Sequence, residues 1–542
     1  MIFQILVIVL GVVFVTGEPQ SRLVITAQGP VRGYKQPGDD VYVFHEIPYA
    51  TAPTGPHKFK APLPPPSWSE PFEAVQNNIV CPQVPQERHT QGKEIKVQED
   101  CLITNVYVPD TEAKNLPVLI YVHGGAFQYA FGSVKTPINL VKTKKIIAVN
   151  FNYRLGLHGF LCLGTEDVPG NAGLKDQVAL LRWVQKNIAS FGGNPNDVTI
   201  AGWSAGASSI DLMVLSPITR GLFHKVIPES AAGISAITIQ MDPLENAKFV
   251  ANKFNFDHGN DINALEAFYK NMSYSNLINA DVLSTPNAAT LISPCIERDV
   301  GDEIFLGENA LDILKRGDFP KLPTLYGCTD REGKYRIDNF DTWKDMMNEN
   351  FSIFLPQDLE FTNDEQKEEV AQEVKQFYFG NQSISEENIL SYVDYFTDTM
   401  FSYGIARAIK MQAEAGNDKI YLYYYSFVDD DENYIPHTNI RGARHCAQNY
   451  AVLDRLPNEE NISEENKKMK IIMRDLWLNF ITTGEPVTKD SSYPEWPPTD
   501  ENRSPYMSLN ITPELHTSFL HQRVFFWDNI YDKYYKPPVP PH

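Results

Sequence analysis

The stretch that most constrains this chain is Val198-Thr199-Ile200-Ala201-Gly202-Trp203-Ser204-Ala205-Gly206-Ala207. A β-rich run ends in Gly202-Trp203-Ser204-Ala205-Gly206, and a small-residue helical pattern follows. This is a G-x-S-x-G sequence in the setting that gives it meaning: strand, sharp turn, helix. Such a turn holds the serine in a strained backbone conformation. Side chains at 202 and 206 would collide with the neighbouring strand and helix, so both positions need glycine. The pattern alone is common in Gly/Ser-rich loops. A nucleophilic reading therefore needs a base, an acid and an oxyanion hole from the rest of the chain.

The oxyanion hole has a candidate upstream. Leu116-Pro117-Val118-Leu119-Ile120-Tyr121-Val122-His123 is nearly continuous in apolar and β-branched residues, which fits a strand buried on both faces. It ends in His123-Gly124-Gly125-Ala126-Phe127. A glycine pair after a buried strand leaves N–H groups uncovered. Lipases and esterases build an oxyanion hole from this loop and the N–H of the residue after the nucleophile. Here the donors would be Gly124, Gly125 and Ala205.

The surrounding pattern is that of an α/β protein. Ile146 to Phe151 reads as another buried strand. Asn171 to about Ser190 reads as a helix with apolar residues at Val178, Leu181, Val184 and Ile188. The elbow strand and then Val226 to Ser230 follow. Strand, helix, strand, helix in this order predicts a mostly parallel sheet with crossovers. Val24 to Tyr34 suggests an antiparallel hairpin at the start. Lys321 to Gly327 and Ile420 to Phe427 read as late strands, Asp341 to Lys410 as a helical insertion and Met469 to Thr482 as an amphipathic helix. Arg523 to Asp528 reads as a last strand.

At 542 residues and 43% apolar content the chain can bury a large core, and no tract looks like an inter-domain linker. The formal net charge of −21 argues against a nucleic-acid partner, whose phosphates it would repel. Met1 to Gly17 is an apolar run that is short for a membrane span and ends in small residues. It reads as a secretory signal peptide, leaving one domain over 18–542. No other stretch is long and apolar enough to span a bilayer, and the C-terminus carries no anchor tail. Six N-x-S/T sequons agree with secretion: Asn271, Asn350, Asn381 and Asn461, and, weakened by a following proline, Asn502 and Asn510. The six cysteines show no zinc-type spacing. In an oxidising compartment some of them should pair.

Ser204 needs a base, and histidine titrates in the right range. It also needs a carboxylate to fix the histidine tautomer, in the chain order serine, acid, histidine. His445 lies in the small-residue loop Gly442-Ala443-Arg444-His445-Cys446, after a strong late strand; His437, in a nearby Pro-containing loop, is its rival. For the acid, Asp330 and Glu332 both follow the strand ending near Gly327. The residues alone leave that choice open.

Several motifs, in order, resemble the type-B carboxylesterase/cholinesterase family, and secreted insect carboxylesterases most. They are Glu99-Asp100-Cys101-Leu102, His123 to Phe127, Asn152-Tyr153-Arg154, Gly170 to Gln177 and Phe191 to Gly206. The resemblance covers nearly the whole chain after Gly17 and implies the α/β-hydrolase fold. It implies Ser204, Glu332 and His445 as the triad, Gly124, Gly125 and Ala205 as the oxyanion hole, and a Cys81–Cys101 disulfide. It implies hydrolysis of small to medium carboxylic esters with no metal or cofactor. A second disulfide of the family has no obvious cysteine pair, which leaves the other four as candidate buried thiols. The chain departs from the family at Trp203, where Glu is usual, or Gln in juvenile-hormone esterases. It also departs at Glu229 and after His445, where Cys446-Ala447-Gln448-Asn449 follows. The loop from Cys81 to Cys101 holds no tryptophan for a quaternary ammonium.

Overall fold

A computed structural model describes residues 20–542 apart from 36–37, 91, 93, 281–284, 288 and 455–461. The expected signal peptide and the Asn461 sequon lie outside the described residues.

One large sheet organises the chain. Its strands are β1 (Gln20–Ile25), β2 (Pro30–Lys35), β3 (Val41–Pro48), β4 (Phe72–Glu73), β5 (Ile103–Pro109), β6 (Leu116–Val122) and β7 (Ile147–Phe151). The second half supplies β8 (Gly193–Trp203), β9 (Lys225–Glu229), β10 (Thr324–Thr329), β11 (Ile420–Tyr425), β12 (Tyr506–Leu509) and β13 (Glu514–His516). The spatial order is β1-β2-β3-β5-β7-β6-β8-β9-β10-β11-β12-β13, with β4 beside β2. From β7 through β12 every neighbouring pair is parallel; the hairpins at the two edges are antiparallel. This is the α/β-hydrolase architecture.

The buried central strands feed two cores, one on each face. On β6, Val118, Ile120 and Val122 pack into one core, while Leu119 and Tyr121 pack into the other. Side chains alternate across a strand, so an apolar run without polar interruptions needs cover on both sides. Helices α1 (Ala172–Asn187) and α2 (Ala205–Leu215) cover the first face, through residues such as Leu174, Val178 and Ile210. Three further helices follow β10: α3 (Phe340–Glu349), α4 (Asp364–Phe379) and α5 (Ile389–Thr397). Together they contribute to a third core. A π turn at Asp398–Ser402 leads from α5 into α6 (Tyr403–Glu414). Helix α7 (Glu464–Thr483) covers the second face with Met469, Ile472 and Trp477.

The run expected as a last strand is instead part of helix α8 (His521–Tyr534). Val524, Trp527, Ile530 and Tyr531 are buried while Phe525 is 60% exposed. That is a helical stripe: Trp527, Ile530 and Tyr531 dock on the third core and Val524 on the first. A short apolar run has no intrinsic strand or helix preference strong enough to resist such docking.

Two disulfides are formed, Cys81–Cys101 and Cys162–Cys295. The second corrects the expectation of four unpaired thiols: its partners lie 133 residues apart in sequence. Cys328 and Cys446 remain as buried free thiols. Among the described residues no helix is long and apolar enough to cross a membrane.

Candidate active site

Strand β8 ends at Trp203, and the chain turns sharply into α2. Ser204 occupies the turn at φ 54°, ψ −123°, a region that costs a non-glycine residue free energy. The turn is held from both sides. The Ser204 N–H donates to the Glu229 carbonyl at 2.8 Å, and its own carbonyl accepts from the Ser208 N–H at 2.9 Å. A Cβ on Gly206 would lie 2.3 Å from the Val122 carbonyl oxygen, and one on Gly202 would lie 2.7 Å from the Gly206 backbone. Two sheet strands and a helix can meet there only because both positions are glycine.

His445 and Glu332 reach this serine from two later loops. The Ser204 Oγ lies 2.9 Å from His445 Nε2, and His445 Nδ1 lies 2.5 Å from Glu332 Oε2. The second Glu332 oxygen accepts the Thr329 N–H at 2.7 Å. Glu332 is fully buried, and the His445 side chain is 9% exposed. The imidazole is fixed by packing as well: Phe401 of the π turn stacks on it at 4.2 Å and Tyr335 meets it edge-on at 5.3 Å. π turns recur at functional sites because they redirect one side chain without ending the helix.

The two rivals stand elsewhere. Asp330 turns away from the histidine ring, and its carboxylate accepts the Ala443 N–H at 2.8 Å. It ties down the loop that carries His445. Burial pushes its carboxyl up to about 6. His437 is exposed, in a surface group with Asp341 and Glu386. Lys344 already ion-pairs with both of those carboxylates.

The loop after β6 crosses in front of the elbow. Gly125 sits at φ +106°, and a Cβ there would lie 2.0 Å from the Tyr129 carbonyl oxygen. Its carbonyl accepts the N–H groups of Gln128 and Tyr129. The His123 ring donates from Nδ1 to the Gly124 carbonyl at 2.8 Å and stacks on Tyr153 at 4.3 Å. Burial pulls this imidazole down to about 4, so it remains neutral. The Tyr153 hydroxyl donates to the His123 carbonyl at 2.8 Å. Next to it, Arg154 is clamped on Asp176 through Nε and Nη2 at 2.8 and 2.6 Å. The Asn152-Tyr153-Arg154 segment thus braces the loop.

Ser204 and Ala205 open onto a narrow cleft. Ala126 and Phe127, not Gly124, are the loop residues that line it. Gly124 packs against the Trp203 carbonyl and ring. Ile237, Thr290, Tyr335, Arg336, Met400 and Phe401 form the other walls. Sequence reasoning did not find them. They come from segments with no motif of their own, and only Tyr335 and Arg336 lie close in sequence to a candidate, Glu332.

The departures at Trp203 and Glu229 meet in space. The Lys135 ammonium lies 4.2 Å from the Trp203 ring centre and 4.4 Å from that of Tyr450. Glu229 is fully buried and accepts a hydrogen bond from the Tyr423 hydroxyl. Burial pushes its carboxyl well up, with Lys135 opposing. Behind His445, Gln448 donates to the Ser230 hydroxyl at 2.8 Å, and Cys446 is buried.

Comparison with known proteins identifies the family. Residues 20–527 match the family model described as the Carboxylesterase family. The chain is 30% identical to venom carboxylesterase-6 of Apis mellifera, with 95% of each chain covered. It is also 30% identical to the juvenile hormone esterase of Heliothis virescens, over 89% of each. The crystal structure of juvenile hormone esterase from Manduca sexta, with OTFP covalently attached, superposes with a TM-score of 0.84 at 28% identity. That match covers 95% of this chain and 100% of the other. The family model spans far more than half of the chain, the fold is the α/β-hydrolase fold, and the chain belongs to the carboxylesterase family.

Proposed function

We propose that residues 18–542 form one enzymatic unit that hydrolyses carboxylic esters through an acyl-enzyme on Ser204. The observation that carries this reading is the hydrogen-bonded chain from Ser204 through His445 to Glu332. The strained elbow supports it.

His445 Nε2 takes the Ser204 proton as Oγ attacks the ester carbonyl. Glu332 holds Nδ1–H and stabilises the imidazolium that forms. The oxyanion develops against the Ala205 N–H and the loop Gly124-Gly125-Ala126. Ala126 borders the cleft while Gly124 packs on Trp203, which supports Gly125 and Ala126 rather than Gly124 as the loop donors in this reading. Each such donor lowers the barrier by roughly 3 kcal/mol. The tetrahedral species collapses, and His445 gives its proton to the departing alcohol. Water then attacks the acyl-enzyme by the same route, freeing the acid and restoring Ser204. No step requires a metal or cofactor.

The substrates are small to medium esters with an apolar body. Phe127, Ile237, Met400 and Phe401 around the cleft favour an apolar body. The protein is secreted and glycosylated in this reading. Its N-terminal pattern, its two disulfides and the exposure of Asn271, Asn350 and Asn381 are the support.

The test is hydrolysis of p-nitrophenyl butyrate together with stoichiometric labelling by an organophosphate, on wild type and Ser204→Ala. Both signals should vanish in the variant. Full labelling that persists in Ser204→Ala refutes the assignment.

A further inference from the structure

The proposed base is carried by an irregular segment. Between β11 and His445 the chain forms no helix and no strand, so ties to neighbouring segments set where the imidazole lies. We propose that Lys334 is a positioning residue for hydrolysis, clamping the loop that carries Glu332 onto the segment that carries His445. This rests on the triad reading above and adds to it a residue outside the triad.

The two segments are tied on both sides of Glu332. On the upstream side, Asp330 accepts the Ala443 N–H at 2.8 Å, and the Arg331 N–H donates to the Ala443 carbonyl at 3.2 Å. On the downstream side, the Lys334 ammonium donates to the Glu432 carboxylate, to the Asn433 carbonyl at 3.1 Å and to the Gly442 carbonyl at 3.3 Å. An ammonium has three protons, and these three acceptors use them all. The stretch between Asn433 and Gly442 doubles back, with the Ile435 N–H donating to the Ile440 carbonyl at 2.9 Å. Its two ends therefore meet at Lys334. Glu432 also lies 3.3 Å from Nη1 of Arg444, the residue before His445. A Cβ on Gly442 would lie 2.3 Å from Arg331 Cγ, so only glycine lets the segments approach this closely. The opposite side of the Glu332 loop is wedged against α5. There the Gly333 N–H donates to the Thr397 hydroxyl at 2.8 Å, and a Cβ on Gly333 would lie 2.0 Å from the Val393 carbonyl oxygen.

The side chains of Lys334 and Glu432 are 8% and 4% exposed. Removing such a pair from water costs about what its attraction returns, so exchanging it for apolar residues is often neutral for stability. What the pair supplies is register, because directional partners fix a position that apolar contact leaves free to slide. His445 Nδ1 and Glu332 Oε2 are 2.5 Å apart, which leaves no slack for the two segments to part. A misplacement of roughly 1 Å at a catalytic group can lower the rate by about 10²-fold.

The test is kinetics with p-nitrophenyl butyrate on wild type, Lys334→Met and Lys334→Met/Glu432→Leu, each also carrying Glu332→Gln. The amplitude of the cooperative unfolding transition gives the folded fraction, and kcat is expressed per folded molecule. Both lysine variants should lower kcat at least tenfold with KM within threefold, and the variant that removes both charges should unfold close to the wild-type temperature. In the Glu332→Gln background the same changes should cost less than twofold more, because they act through a hydrogen bond already lost. A lysine with a structural role alone would lower kcat by the same factor in both backgrounds. The inference is overturned if Lys334→Met/Glu432→Leu keeps kcat within twofold of wild type, or if its cost is the same with and without Glu332→Gln. If that variant fails to fold, Lys334→Met decides by the same two criteria. Loss of all ester cleavage in wild type, or its persistence in Ser204→Ala, would instead overturn the reading of the site itself.

Discussion

Replacing Glu332 by Gln tests the geometry of the site most sharply, because the structure dictates how the amide would sit. One carboxylate oxygen of Glu332 accepts the Thr329 N–H at 2.7 Å, and the other faces His445 Nδ1 at 2.5 Å. In Glu332→Gln only the amide oxygen can accept from Thr329. The amide nitrogen must then occupy the position facing Nδ1, where it is a donor. His445 responds by carrying its proton on Nε2, which points that N–H at Ser204 Oγ, 2.9 Å away. A ring in that tautomer cannot take the serine proton. The imidazolium also loses a fully buried counter-charge. A wrong tautomer with unchanged shape lowers kcat by roughly 10⁴-fold, equivalent to about 5.5 kcal/mol of barrier. The assay is kcat/KM for p-nitrophenyl butyrate, with circular dichroism and thermal unfolding to show that the variant is folded. A folded Glu332→Gln protein that retains more than a tenth of wild-type kcat/KM would refute the reasoning.

Asp330→Asn is the matching control and should leave kcat/KM within about threefold, since an amide oxygen can still accept the Ala443 N–H. The same variant carries a stability prediction. The Asp330 carboxyl is raised from 3.8 to about 6 in the folded protein, so folding favours its protonated form. Stability from this group is present below pH 3.8 and is lost as pH rises to about 6, a change of about 2 to 3 kcal/mol. Asp330→Asn should therefore gain on wild type between pH 4 and 6 and keep a constant lead above pH 7; a lead that does not vary with pH in chemical unfolding would contradict this. Peptide mapping without reduction should recover Cys81–Cys101 and Cys162–Cys295, and Cys328 and Cys446 should react with a thiol reagent only after denaturation. Replacing Cys162 and Cys295 by serine opens a loop of 133 residues, and the chain-entropy model puts the loss at about 5 kcal/mol. Thermal unfolding at fixed pH measures it.

By itself the sequence determined the parts of this protein that depend on short-range sterics and periodicity. Gly202 and Gly206 flank Ser204 because only glycine leaves room for the strand and helix that meet there. The uninterrupted apolar run of β6 required cover on both faces, and the two cores supply it. The His-Gly-Gly loop was legible for the same local reason. Choices between near neighbours were a different matter. Asp330 and Glu332 are two residues apart, and which carboxylate faces His445 depends on how the turn after β10 directs each side chain. The residues left that choice open; family resemblance favoured Glu332, and the fold brings it to His445 Nδ1. His437 and His445 differ in where the third core and the π turn bring Phe401 and Tyr335. Cys162 and Cys295 become partners only through chain folding over 133 residues, which no local pattern records. The Arg523-Val524-Phe525-Phe526-Trp527-Asp528 run read as a strand because its apolar residues are consecutive, and packing of Trp527, Ile530 and Tyr531 into the third core made it a helix. The cleft walls, Arg336 among them, come from loops and a π turn whose positions are set by packing between distant segments. Tertiary structure decided them because side-chain direction and long-range proximity are properties of the assembled core, whereas a sharp turn or a buried strand is a property of the few residues that make it.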